Sequence, residues 1–468
     1  RYIMTAQTIL PANTLSSGDL VTNSLRFDDG SSDYLNRTTG TATSTTKMTF
    51  STWVKRSKIS ASVVLFSFKT DGNNELYFRF MDNDTLQVYS QKGGTKIIER
   101  KTNRVFRDAS AWYHLVLQID TTHGNVSDRI RIYVNGVQET SFSTETNPDQ
   151  NETITYVASA TFEIGRKATS TNLHMDGYLA ETVFLDGLDH ASSFFGEFDS
   201  DSGIWTPKDV SGFTFGNNGF YLQYKEIGTN ADASGIGADT SGETNHFTVN
   251  NLTAVDQTTD TPQNNFCTMN PLIPTTNATF SQGNCKLTIG GSSIQGAGIG
   301  TFGLTAGKWY FEVKLLADKD NHTHGAISEL TAELNANVTA IQNDVGVTSW
   351  INGDGGEVVV DGTATTADYG IMAENSIMGI ALDIDNYNIT YLDDNSALVS
   401  NFNMSSTRGT IFPLIKMGIN CAAEVNFGGC SAFTVSSANS DADGHGNFEH
   451  APPSGYFAIC SKNLAEYG

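Results

Sequence analysis

Two stretches near the C-terminal end alternate apolar and polar side chains with a period of two: GKWYFEVKL (307–315) and IMGIALDIDNYNITYLDDN (377–395). A period of two places one set of side chains on a buried face and the other in water, which is the pattern of a half-buried β-strand. The second stretch reads as two such strands around a turn formed by Asp385, Asn386 and Asn388. The same alternation recurs through the first half of the chain, in MTFSTWVKR (48–56), VVLFSFKT (63–70), ELYFRFMD (75–82), TLQVYSQ (85–91), AWYHLVLQID (111–120), RIRIYVNGVQE (129–139), ATFEIGR (160–166) and DGYLAETVFLD (176–186). Asn135-Gly136 marks a tight hairpin turn, since both residues tolerate positive φ. Many short strands at this spacing predict an all-β chain of antiparallel sandwiches or jelly rolls.

Composition agrees. With 44 Gly, 9 Pro and only 17% charged residues, the chain is suited to strands joined by many turns. Its 28 Lys and Arg against 51 Asp and Glu leave a net charge of −23. Such a chain is repelled by phosphate backbones and anionic membrane surfaces, so nucleic-acid binding is not expected, and with no apolar run approaching the length of a bilayer span neither is membrane insertion. The excess carboxylates are available to divalent cations. Five cysteines (Cys267, Cys285, Cys421, Cys430, Cys460) form no C-x-x-C pair, which speaks for buried reduced thiols, or at most one or two incidental bridges, and against a zinc site.

The 468 residues divide into two antiparallel sandwich domains in tandem with a polar linker. Residues 1–20 read as an N-terminal arm and 21–225 as the first sandwich. Residues 226–262, rich in Gly, Ser, Thr and Asn, read as the linker, and 263–468 as the second sandwich. The stretch 317–344 is the best helical candidate, with Ile327, Leu330, Leu334, Val338 and Ile341 three or four apart. A short helix is also expected after Asp189.

The order SLRFDDGSSDYL, MTFSTWVKR, AWYHLVLQID, IRIYVNGV, MDGYLAETVFLDGL resembles the laminin-G-like, concanavalin A-like jelly roll. The later set, GKWYFEVKL, IMGIALDIDNYNITYLDDN, IFPLIKMG (411–418), AEVNFGG (423–429) and PPSGYFAI (452–459), resembles the SPRY domain, a sandwich used for binding. Together the two resemble fibre-like and decoration-like virion proteins of tailed bacteriophages. That resemblance implies display on the particle exterior among other virion proteins, multivalent attachment to host surface glycans, a homotrimer and no catalysis. Three other functions share these folds: a purely structural decoration protein, a bacterial cell-surface adhesin and a carbohydrate-active enzyme.

Sugar binding needs an exposed aromatic ring. Trp350, Tyr369, Tyr387 and Trp205 are the candidates because they lie near turns, with Trp350 preferred, whereas Trp53, Trp112 and Trp309 are expected in cores. Calcium is the one cofactor considered. Asp28, Asp29 and Asp33, or Asp82, Asn83 and Asp84, or Asp393, Asp394 and Asn395 cluster at hairpins, where turn formation also accounts for them. A glucanase of this fold needs alternating acids on one strand, and Glu197-Phe198-Asp199-Ser200-Asp201 is the nearest approach. It reads as a solvated loop. His322 and His324 lack a third metal ligand, and His114, within a strand, reads as structural.

Overall fold

The computed structural model describes residues 20–154, 159–168, 173–273, 277–291, 296–317, 324–329, 346–351, 356–404 and 409–468. The chain is all-β, with sheets that are almost wholly antiparallel, and it forms two compact units that meet in sequence at Gln263 and Asn264. Among the described residues the one α-helix is Ser461–Tyr467. The helix expected after Asp189 is a single 3-10 turn, Ser192–Phe194.

The first unit is a sandwich of two eight-stranded sheets. One sheet is centred on Lys47–Arg56, flanked by Trp112–Asp120 and Gly177–Asp186. The other runs, edge to edge, through Phe142–Thr146, Thr95–Val105, Thr85–Lys92, Asn74–Phe80, Val63–Asp71, Thr161–Ile164, Tyr34–Thr38 and Thr248–Asn250. The period of two turns alternate side chains inward. Phe50 and Phe184 come from the first sheet and Phe66, Phe68, Phe78 and Phe162 from the second. The Phe68 ring lies 4.0 Å from Phe162 and 5.4 Å from Phe184, joining the layers. Each such ring contributes about 1.5–3 kcal/mol on burial. Asn135 and Gly136 take φ of 47° and 82°, as a tight hairpin requires, and pair Val134 with Val137. A Cβ on Gly136 would collide with the Trp205 ring, so close approach as well as φ demands glycine.

Residues 226–262 are not a linker. Ile236, Phe247 and Leu252 sit in the core of the first sandwich. Thr248–Asn250 extends one sheet beside Tyr34–Thr38, and Gln257–Thr258 extends the other beside Ser24–Phe27. Asp256 bonds Arg26 at 2.7 Å and Asp260 bonds Lys55 at 2.7 Å, all four side chains being nearly or fully buried. A few well-spaced apolar residues and two carboxylates suffice to seat a segment whose average composition is polar.

The second unit, from Asn264 on, is also a sandwich. Its larger sheet pairs Lys308–Ala317 with Ile377–Asp383 on one side and Ala422–Asn426 on the other. Its second sheet runs through Gly296–Ile299, Ile411–Met417, His324–Glu329, Val347–Ile351, Val358–Val360 and Thr363–Ala364. Trp309, Phe311, Ile380 and Leu382 meet Ile327, Trp350 and Ile415 in the core. The hairpin after Asp383 turns on Asp383, whose carboxylate accepts the Asn386 backbone and amide N–H groups at 3.1 and 2.9 Å, and Tyr387 takes φ 53°. Asn388 already begins the next strand. Of the expected helix 317–344, residues 324–329 are a strand paired on both sides, where sheet pairing outweighs the local helical periodicity. Residues 318–323 and 330–344 lie outside the described residues, as do 1–19 of the expected arm. All five cysteines are buried free thiols.

Candidate functional site

Of the four sequence-predicted aromatics, Trp205 falls in the first unit and Trp350, Tyr369 and Tyr387 in the second. Trp205 belongs to the first sandwich and is 5% exposed. Its Nε1–H donates to His114 Nδ1 at 3.0 Å. Indole nitrogen only donates, so Nδ1 accepts and the imidazole proton sits on Nε2, which donates to Ser51 Oγ at 2.9 Å. Complete burial drives the His114 pKa down to about 3, so the ring is a neutral bridge between strand and indole. Trp350, the preferred sugar platform, is fully buried on an interior strand, its ring 6.3 Å from that of Tyr391. Both tryptophans are core residues: proximity to a turn in sequence does not expose a ring whose strand is covered on that side. Tyr369 is half-buried against the second core, and Tyr387 is half-buried in its turn. Trp53, Trp112 and Trp309 are buried as expected.

The acids sort by burial. Asp84 is fully buried, and it bonds Arg56 at 3.1 Å and Arg107 at 2.8 Å, which makes it an ion-pair anchor and removes it from any calcium site. Asp82 is exposed in the preceding turn. Asp33 Oδ2 accepts the Asp28 backbone N–H at 3.0 Å, and burial raises its pKa to about 6. Asp28 and Asp29 are joined by Asp176, which sequence distance had hidden, with carboxylate oxygens within 4.8 Å of one another. Burial, then the charges of Asp29 and Asp28, push the Asp176 carboxyl well above the usual range. Lys58 bonds Asp29. Three crowded carboxylates with one ammonium fit a hard divalent cation, whose remaining oxygens would come from backbone and water. In the second sandwich, Asp394 accepts the Ile377 N–H at 2.9 Å and closes a turn.

Glu197 lies on strand Gly196–Phe198 and pairs with Lys208 at 3.4 Å, while Asp199 folds back to accept Ser202 N–H and O–H in an exposed turn. These acids do not line one face of a strand. His324 begins a strand, and His322 lies outside the described residues.

A second surface was overlooked in the sequence. In ELYFRF the core takes Leu76, Phe78 and Phe80, so Tyr77 and Arg79 point outward; in TLQVYSQ the core takes Leu86 and Val88, so Gln87, Tyr89 and Gln91 do. An aromatic in the polar phase of the alternation was the available signal. Tyr77 and Tyr89 stack across the strands, with centroids 5.1 Å apart and planes at 18°. One register row crosses seven strands: Glu99, Tyr89, Tyr77, Ser67, Glu163, Asn36, Thr248. At about 4.8 Å per strand it spans roughly 29 Å. Lys167 covers Tyr77, its Nζ 4.6 Å from the ring and 3.2 Å from Glu75, and burial raises the Tyr77 hydroxyl to about 12. Tyr89 stays half-buried. Beside it Arg79 Nε donates to Gln87 at 2.7 Å, and Gln87 donates to Glu99 at 2.7 Å. Glu99 also bonds Lys96 at 2.7 Å and Lys101 at 3.3 Å; burial works against its charge, and these lysines hold it below the usual range. Tyr77 and Gln87 are themselves buried, so Tyr89 is the ring of the pair that a polar ring compound can reach, with Arg79, Lys96 and Lys101 around it.

The described chain is thus two β-sandwiches, the first with a half-buried aromatic, Tyr89, on its outer face. Residues 29–188 match the family model of the concanavalin A-like lectin/glucanases superfamily, and residues 308–430 match that of the SPRY domain. A lectin-type domain followed by a SPRY domain points to a binding module. No curated protein sequence matches the chain. Among solved structures, the chain is similar to the SPRY domain of human HERC1 (12% identity, 36% of this chain and 99% of that one, TM-score 0.30). It is similar to the PSpry domain of TRIM65 (13%, 34% and 88%, TM-score 0.29). A native heptameric SAP-like pentraxin from Limulus polyphemus is similar at 16%, over 36% and 78%, with a TM-score of 0.29. No described helix is long and apolar enough to cross a membrane.

Proposed function

We propose that this chain is a surface protein of a tailed-bacteriophage particle, of the fibre or decoration type, that attaches to host glycans and does not cleave them. The reading of its setting rests on the resemblance of the paired domains to such virion proteins. The reading of its ligand is carried by the half-buried Tyr89 ring on the outer face of the first sandwich, backed by the buried Tyr77 ring and bordered by Arg79, Gln91 and Lys101. A shallow face of this kind binds one sugar weakly, and display in a homotrimer beside other virion proteins raises the effective affinity by multivalency.

The test is a glycan array probed with the purified chain, paired with electron microscopy of the particle using an antibody to it. Binding to host-type glycans and labelling of the particle exterior are the expected results. Labelled particles with a flat array would instead favour a purely structural decoration protein. Shortening of a polysaccharide on incubation would overturn the non-enzymatic reading.

A further inference from the structure

We propose that the outward face around Tyr89 takes an acidic sugar residue, carrying a carboxylate or a sulfate, of an extended polysaccharide. The proposal rests on the glycan-attachment reading and deepens it by naming the ligand class and the place. The chain carries a net charge of −23, so most of its surface repels an anion. Two carboxylates, Glu75 and Glu99, act on the Tyr89 hydroxyl, but over the whole face around it they are outnumbered by Arg79, Lys96, Lys101 and Lys167. Lys96 and Lys101 both bond Glu99, which cancels one of their two charges. Arg79 gives its Nε to the neutral Gln87 and pairs with no carboxylate among the described residues. Arg79, Lys96 and Lys101 against Glu99 leave two positive charges in excess. The flanking groups add nothing to this: Lys167 is matched by Glu75 at 3.2 Å, and Arg166 by Glu163 through a hydrogen bond of 2.8 Å.

The register fixes the arrangement. Gln87 faces Arg79 on one neighbouring strand and Lys101 on the other, while Tyr89 faces Tyr77 and Glu99. Two cations therefore stand one row from the stacked rings, diagonal to Tyr89, at the reach of a substituent on a sugar lying against the ring. A guanidinium presents a planar fork to carboxylate or sulfate, and the buried Gln87 amide orients it by accepting the Arg79 Nε–H. Attraction between an acidic polymer and this face is Coulombic and partly solvent-exposed, so it weakens as salt shortens the screening length.

The test uses the full chain and three probes: alginate for carboxylate, carrageenan for sulfate and laminarin as a neutral glucan. Calorimetry or biolayer interferometry should show binding of at least one acidic polymer and about tenfold weaker binding of laminarin, a difference of about 1.4 kcal/mol. Binding should fall steeply with added sodium chloride. Arg79→Gln and Tyr89→Ala should each reduce affinity about tenfold, with Lys101→Gln as a milder variant should either lose stability. The two acidic arms decide which anion is preferred. Equal binding of laminarin, or acidic binding indifferent to all three substitutions, overturns the proposal while leaving glycan attachment standing. A flat response to all three probes together with a flat array overturns both.

Discussion

Lys55 Nζ lies 2.7 Å from Asp260 Oδ2, and neither side chain reaches solvent. The other Asp260 oxygen accepts the Trp112 indole N–H at 3.0 Å. One carboxylate thus ties the last segment of the first sandwich to two of its central strands. Removing it strands a buried ammonium, so Asp260→Ala is expected to cost about 3–5 kcal/mol in urea denaturation. By the same logic a chain ending at residue 225 loses Asp256, Asp260, Ile236, Phe247 and Leu252 and should not melt cooperatively, whereas residues 20–263 should. A sharp transition from the shorter chain would show that the closing segment is dispensable.

Trp205 and Trp350 separate stability from binding. Each is packed in a core, so Trp205→Ala and Trp350→Ala should each lower stability by about 3–5 kcal/mol. Polysaccharide affinity of the protein that remains folded should not change. The reverse is expected for Tyr89→Ala, which should keep the melting temperature and lose affinity. Loss of affinity in Trp350→Ala at full stability would return that residue to the ligand site.

Glu181 makes the first sandwich sensitive to pH. It sits where the pairing of Gly177–Asp186 with Lys47–Arg56 shifts register, with φ 49°. Burial raises its pKa from 4.5 to about 7, against the Tyr221 hydroxyl that bonds it and the charge of Lys225. The folded state therefore favours the protonated acid. The stabilisation is complete below about pH 4.5 and disappears as pH rises through 7, a change of about 3 kcal/mol. Asp33, raised to about 6, acts in the same direction at lower pH. Subtracting the Glu181→Gln curve from that of the wild type isolates this contribution. A difference independent of pH between 4 and 8 would refute the assignment.

Calcium should stabilise the first sandwich. Asp28, Asp29 and Asp176 crowd their oxygens within 4.8 Å, and a divalent ion relieves their repulsion. Millimolar calcium is expected to raise the melting temperature by several degrees, reversibly on chelation, and Asp176→Asn should abolish the shift. An unchanged melt would leave the cluster as a turn held by Lys58 and nearby backbone groups.

Most strands were legible because alternation is a local signal. Leu76, Phe78 and Phe80 announce a half-buried strand without help from any partner. The alternation also held the orientation of Tyr77 and Tyr89, although turn proximity was the poorer guide to exposure and drew attention to Trp205 and Trp350. Asp84 and Asp82, two residues apart, are equivalent in sequence, and only the fold sets Arg56 against Asp84. Asp176 could not be joined to Asp28 from sequence, because strand pairing closes a gap of nearly 150 residues.

By itself the sequence determined the all-β class, the two sandwiches and the strands that build them, since the period of two is written residue by residue. Only the tertiary structure decided which polar residues are inside. Lys55 and Asp260, Arg26 and Asp256, and Glu181 are buried because partners distant in the chain receive them, and average composition made 226–262 resemble a linker. Burial of a charge depends on who stands opposite, and that is a property of the packed sheets.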